Sequence, residues 1–181
     1  MEQHMTQQNA LQRSWLGFSL GLGVVLAHLA WEFSHGGVRS HHLLNSPDLP
    51  AISNWWGLLA LPLLGWAAAY TVARRLASQA QGWSAVRYAW LGALLLGLAL
   101  SGAFLAGYTA LTTGLFFTVL AAGLVLPTYR LEYLFGFVLG MTFVFGAVLP
   151  AIVATVAAVL SGFLHRLLYP ACVSLLRRAR A

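Results

Sequence analysis

YLFGFVLGMTFVFGAVLPAIVATVAAVLSGFLHRLLY, residues 133–169, is the stretch whose reading decides the fold. Its one formally charged residue is Arg166. Read as a single kinked helix, it gives a five-span protein. Divided at Pro150, it gives two spans, 133–149 and 151–169, and a six-span protein. A helix needs about 17–25 apolar residues to cross a ~30 Å hydrocarbon core, so length allows the division.

Charge decides it. Working outward, the other apolar runs are 14–35, 54–72, 88–108 and 112–126. With six spans and the N-terminus inside, Arg13, Arg74, Arg75, Arg87, Arg130, Arg166, Arg177, Arg178 and Arg180 share the cytoplasmic side, and Arg39 alone lies outside. Merging the last two spans sends Arg166, Arg177, Arg178 and Arg180 across and destroys the bias. Basic residues favour the cytoplasmic side of membrane proteins. The reading is therefore an all-α polytopic bundle of six transmembrane helices with no soluble domain. Both termini are cytoplasmic, in a bacterial-type inner membrane, and Pro150 is a tight outer turn. Residues 1–13 form a polar tail, 14–170 the membrane domain with a structured outer loop at 36–53, and 171–181 a basic tail.

Composition agrees. Of 181 residues, 60% are hydrophobic and 8% charged, against about 25% charged in soluble domains. A soluble fold of this size leaves roughly a third of its unfolded surface in water, so it could not hide so much apolar surface. All ten basic residues are arginine. Without lysine there is no Schiff base and no P-loop phosphate site. The single cysteine, Cys172, excludes an intrachain disulfide, a zinc ribbon and a thiolate iron–sulfur cluster. The net charge of +6 is spread between apolar runs, which argues for topology and against a nucleic-acid partner.

Polar residues are scarce, so their clustering carries information. The window 28–48 reads HLAWEFSHGGVRSHHLLNSPD. It holds His28, Glu32, His35, Arg39, His41, His42 and Asp48. His28, Glu32 and His35 stand at i, i+4 and i+7, one stripe of a helix. A carboxylate facing lipid there costs several kcal/mol, roughly 2.5–3.5 on insertion scales, so the stripe faces the bundle or a wet cavity. Gly36-Gly37 ends the helix and lets the chain fold back. Ser53-Asn54 is an N-cap signal ahead of Trp55-Trp56.

Three chemistries suit this window. Imidazole and carboxylate ligands from His28, Glu32, His35, His41 and His42 suit zinc, copper, iron or manganese, or a haem. Glu32 and Asp48 are then the candidate catalytic bases beside a metal-bound water. This is the leading expectation: a metal-dependent enzyme or metal-binding subunit acting on a lipidic or small substrate at the outer leaflet. A second is a non-catalytic subunit or assembly factor that docks a membrane partner, or a second copy, through Arg39, Asn54, Trp55 and Trp56. A third is a proton-coupled permease relaying through Glu32. No HExxH motif is present.

Other features read as structural. Gly17/Gly21 and Gly136/Gly140 are small-xxx-small pairs that let helices approach closely. Ser101, Thr118, Thr142 and Thr155 are expected to bond a carbonyl one turn back. Tyr129, Arg130 and Glu132 read as a short inner loop where an ion pair contributes little. Trp and Tyr at span ends form an interfacial belt.

Overall fold

The computed structural model describes residues 2–42, 46, 48–78 and 82–179. Among these, six helical rods run up and down. They are α1 (Glu2–Ser34), α2 (Gly57–Ala77), α3 (Trp83–Leu105), α4 (Thr109–Val125), α5 (Leu131–Phe145) and a last rod of three parts. That rod joins α6 (Val148–Phe163) through a π-helical turn at Leu164–Leu168 to α7 (Tyr169–Ala179). Four segments are long and apolar enough to cross a membrane: Ala10–Ser34, Asn54–Ala77, Trp83–Leu105 and Val148–Arg178. Leu16, Leu105 and Val125 are among many large apolar side chains left exposed, a surface suited to lipid.

The remaining two helices are shorter. α4 has 17 residues and α5 has 15. At 1.5 Å per residue α5 is only about 23 Å long. It is also the most enclosed element: Leu134 to Thr142 are buried without a break. It packs against α2, α3 and α6, and more lightly against α1. A helix surrounded by protein is not obliged to match the bilayer by itself.

Residues 133–169 do form two helices, but the break is not at Pro150. It lies at Gly146, whose φ of +69° suits glycine. Pro150 is the third residue of α6. The first N–H groups of a helix have no intrahelical partner, so a proline there forfeits nothing.

Glycine sets the closest helix contacts. A β-carbon on Gly21 would lie 2.6 Å from the Leu61 carbonyl oxygen, and one on Gly17 would overlap the Gly65 carbonyl. These contacts seal α1 to α2. A β-carbon on Gly140 would lie 2.5 Å from the Leu94 oxygen, and one on Gly97 would lie 2.6 Å from the Phe137 oxygen. These seal α3 to α5. Ser101 adds a hydrogen bond across the same seam, from its hydroxyl to the Gly140 carbonyl at 3.1 Å. Its expected partner one turn back in α3 loses to this interhelical acceptor. Thr118, Thr142 and Thr155 do bond carbonyls four residues back.

Overpacking a close helix seam costs roughly 1–3 kcal/mol, and more where backbone cannot move. Gly21→Leu and Gly140→Leu should each lower unfolding stability in detergent by at least ~2 kcal/mol. Gly23→Leu, which meets nothing within 4 Å, should be close to neutral. Equal effects at Gly23 and Gly140 would contradict the seams.

Candidate functional site

The two ends of the bundle differ. One end carries the long connection between α1 and α2. There α1 stops at Ser34, and Gly36 (φ +112°) and Gly37 (φ +104°) turn the chain back. Strand β1 (Ser40–His42) pairs antiparallel with β2 (Ala51–Ser53), placing His41 opposite Ile52. A 3-10 turn at Asn54–Trp56 then leads into α2, with the Ser53 hydroxyl accepting from the Trp55 N–H at 3.4 Å.

At the centre of this end is Glu32, 3% exposed. The Asn54 side-chain amide donates to its Oε1 at 2.7 Å. The Arg39 backbone N–H donates to its Oε2 at 3.3 Å. His28 Nε2 lies 3.4 Å from Oε1, and His28 itself is 1% exposed. Three nitrogen groups from three elements thus surround one carboxyl. Such encirclement is the usual condition for burying an acid in an apolar bundle. Asn54 is held in turn: its backbone N–H donates to the Arg39 carbonyl at 3.0 Å, and its Oδ1 sits against Gly146. The His28 ring meets Phe143 edge-on at 5.4 Å.

The candidates do not all gather here. His28 and Glu32 are together. His41 is half-buried and close enough to feel the Glu32 and Arg39 charges. His35 is displaced because the i+7 argument needs helix through residue 35, whereas α1 ends one residue earlier. It is exposed, its Nδ1–H donates to the Trp31 carbonyl at 2.8 Å, and its ring stacks on Trp31 at 4.7 Å. Asp48 is exposed in the turn before β2. Among the described residues no group of three or more His, Cys, Asp or Glu is arranged to hold a metal ion. Of the docking candidates, Asn54 is buried and bridges Glu32 to the α5–α6 turn. Trp55 and Trp56 are exposed, and the Arg39 guanidinium lies 5.8 Å over Trp31.

At the same end lies a cavity of about 560 Å³. Leu100, Phe104, Phe116, Phe145 and Ile152 help to line it, and His41 and His42 stand at its edge. His42 Nδ1–H donates to the Leu49 carbonyl at 2.7 Å. In the neutral imidazole that bond places the proton on Nδ1, which makes Nε2 the acceptor nitrogen. The hairpin therefore lays two imidazoles against apolar space. Cavity and hairpin come from segments far apart in sequence, so no spacing rule reveals their meeting.

The opposite end corrects another expectation. Glu132 is not on a solvated loop; it is 2% exposed and accepts from Arg75 across α2 and α5. Helix packing, invisible in the local sequence, puts it there. Searches against protein-family models, curated proteins and solved structures found no match for this chain.

Removing one partner of a buried polar pair costs roughly 1–3 kcal/mol, more for a charged group. Asn54→Ala should destabilise the protein by about 2 kcal/mol or more, and Asn54→Asp, which opposes two carboxyls, by more than Asn54→Ala. Thermal unfolding in detergent checks the order.

The second expectation concerns pH. Burial holds the His41 imidazole below its ordinary range; Arg39 adds to the shift and Glu32 opposes it. A histidine so lowered binds fewer protons folded than unfolded, so its stabilising contribution is complete above about 6.5 and is lost as pH falls. Amide exchange in β1 and β2 should therefore speed up between pH 7.5 and pH 5 beyond its intrinsic pH dependence. His41→Gln should remove most of that excess. An equal excess in the variant would assign it elsewhere.

Proposed function

We propose that this chain is a multi-pass membrane protein that takes a lipid-class or other small apolar molecule into the cavity beneath the hairpin. His41 and His42 face the molecule's polar end. The carrying observation is the 560 Å³ apolar cavity edged by these two histidines. Ligand sites are typically apolar concavities of about 300–1,000 Å³ with a few placed polar groups. In its neutral form His42 presents Nε2 as an acceptor, which supplies a base or a metal ligand at the mouth. The arginine distribution supports an inner membrane of bacterial type, with the hairpin end outward and both termini in the cytoplasm.

A second reading adds a transition metal, zinc, copper, iron or manganese, at the outer-leaflet site. It is favoured by His28 and His41 both lying within electrostatic reach of Glu32. Imidazole and carboxylate donors suit those ions. Closing such a site requires His41 to move toward the buried pair.

Two measurements on one chelator-free preparation test these readings. Mass spectrometry of an organic extract should find an apolar molecule at about one per chain, lost on narrowing the cavity with Ile152→Trp. Extracts of wild type and variant that do not differ would end the first reading. Elemental analysis should find a metal near one per chain, reduced by His28→Ala and by His41→Ala. No metal after attempted reconstitution would end the second.

A further inference from the structure

The arginine-rich end holds a second concavity, of about 590 Å³, unrelated to the histidines. Arg74, Arg75, Arg130 and Arg166 line it together with Tyr70 and Tyr129. They come from the last turns of α2, the α4–α5 connection and the π-helical turn after α6. Residues 56 and 92 positions away from Arg74 along the chain are thus brought to one hollow. Like charges converging at one place cost energy unless something negative neutralises them.

Among the described residues, little in the chain itself can do this. It has four acids, Glu2, Glu32, Asp48 and Glu132. Glu32 and Asp48 belong to the opposite end. Glu132 is paired with Arg75. Among the described residues, Arg74, Arg130 and Arg166 face no carboxylate within ion-pair distance. Two of the three are nevertheless held in place by aromatic faces. The Arg166 guanidinium lies 4.5 Å from the Tyr129 ring centre, and that of Arg74 lies 5.9 Å from Tyr70. A cation–π contact positions a guanidinium without using a carboxylate, so its charge and fork of donors stay available to a ligand. Arg75 is fixed at the wall by Glu132 and by the Thr71 carbonyl.

Other arginines show that this convergence is not the general spread of positive charge. Arg13, Arg87, Arg177 and Arg178 do not line the hollow. A planar fork of donors matches phosphate oxygens bidentately, and basic pockets between membrane helices suit phosphorylated head groups.

We propose that this hollow is a phosphate site, filled by the phosphodiester of an anionic phospholipid or by a soluble phosphate. Arg74, Arg130 and Arg166 supply the contacts, and Arg75 with Glu132 forms the wall. Occupation joins α2, the α4–α5 connection and the final rod through one anion, so the filled site also stabilises that end of the bundle.

The test uses the full chain in neutral detergent, with two probes: phosphatidylglycerol and inorganic phosphate. Native mass spectrometry reads lipid adducts, and thermal unfolding reads stabilisation by either probe. Wild type should prefer phosphatidylglycerol over phosphatidylcholine. Arg130→Gln/Arg166→Gln should weaken phosphatidylglycerol binding by about a hundredfold or more, since each lost charge-assisted bond is worth about tenfold or more. Arg177→Gln/Arg178→Gln removes the same charge outside the hollow and should retain binding. Arg74→Gln provides an independent variant if the double one unfolds. A lipid adduct unaffected by millimolar phosphate identifies the lipid source. Stabilisation by phosphate, with competition, identifies the soluble one. Equal losses in the pocket and control variants would reduce the effect to net charge and overturn the site. So would no preference of wild type for phosphatidylglycerol or phosphate.

Discussion

Glu32 is a carboxyl group near the end of a long apolar helix, and it has to be surrounded by donors. Water is the ordinary solution, and burial at 3% exposure removes it. The Asn54 amide and the Arg39 N–H take its place. For these donors to arrive, α1 must stop at Ser34, the chain must reverse through Gly36 and Gly37, and α2 must begin at a set distance. Asn54 also presses on Gly146, where a side chain would collide with it. One acid therefore ties the first helix, the hairpin, the start of the second helix and the turn between the last two. Loss of a donor is costly because the interior offers no substitute.

Close backbone contact shapes the rest. α1 meets α2, and α3 meets α5, along seams where glycine lets carbonyls approach within van der Waals distance of a neighbouring backbone. In lipid such contact is the main source of helix association, because apolar burial from water contributes little there. The seams draw α5 into the middle. α4 rests on α3 and α6 with few buried residues of its own, Val119 and Gly123. The space it leaves is the apolar cavity region among α3 to α6. The looser helix and the cavities are two aspects of one packing arrangement.

The ends of the bundle carry opposite chemistry. The hairpin end concentrates histidines and a buried acid beside apolar space. The other end concentrates arginines with a single buried acid, Glu132. Among the described residues, Arg74 and Arg166 at this end have tyrosine faces as neighbours in place of counter-ions. The two ends therefore present different chemistries, one apolar and one cationic.

Apolar run length and arginine placement were enough to read a helical membrane protein and to locate its six helices. Both act through the solvent, which reads residues one segment at a time. The turn at Gly36-Gly37 and the Ser53 cap were legible for a similar reason, since backbone geometry there depends on adjacent residues. The break assigned to Pro150 was misplaced by four residues because proline is tolerated in a first helical turn, and a positive-φ glycine was the stronger signal. Helical phase correctly put His28 beside Glu32 but carried His35 one residue past the helix end. Asn54 as the partner of Glu32, the burial of Glu132 by Arg75, the reach of Ser101 to Gly140 and the four-arginine hollow were decided only by tertiary structure. Each joins residues between 22 and 92 positions apart. Their meeting depends on which helix faces pack together, and no local periodicity encodes that choice.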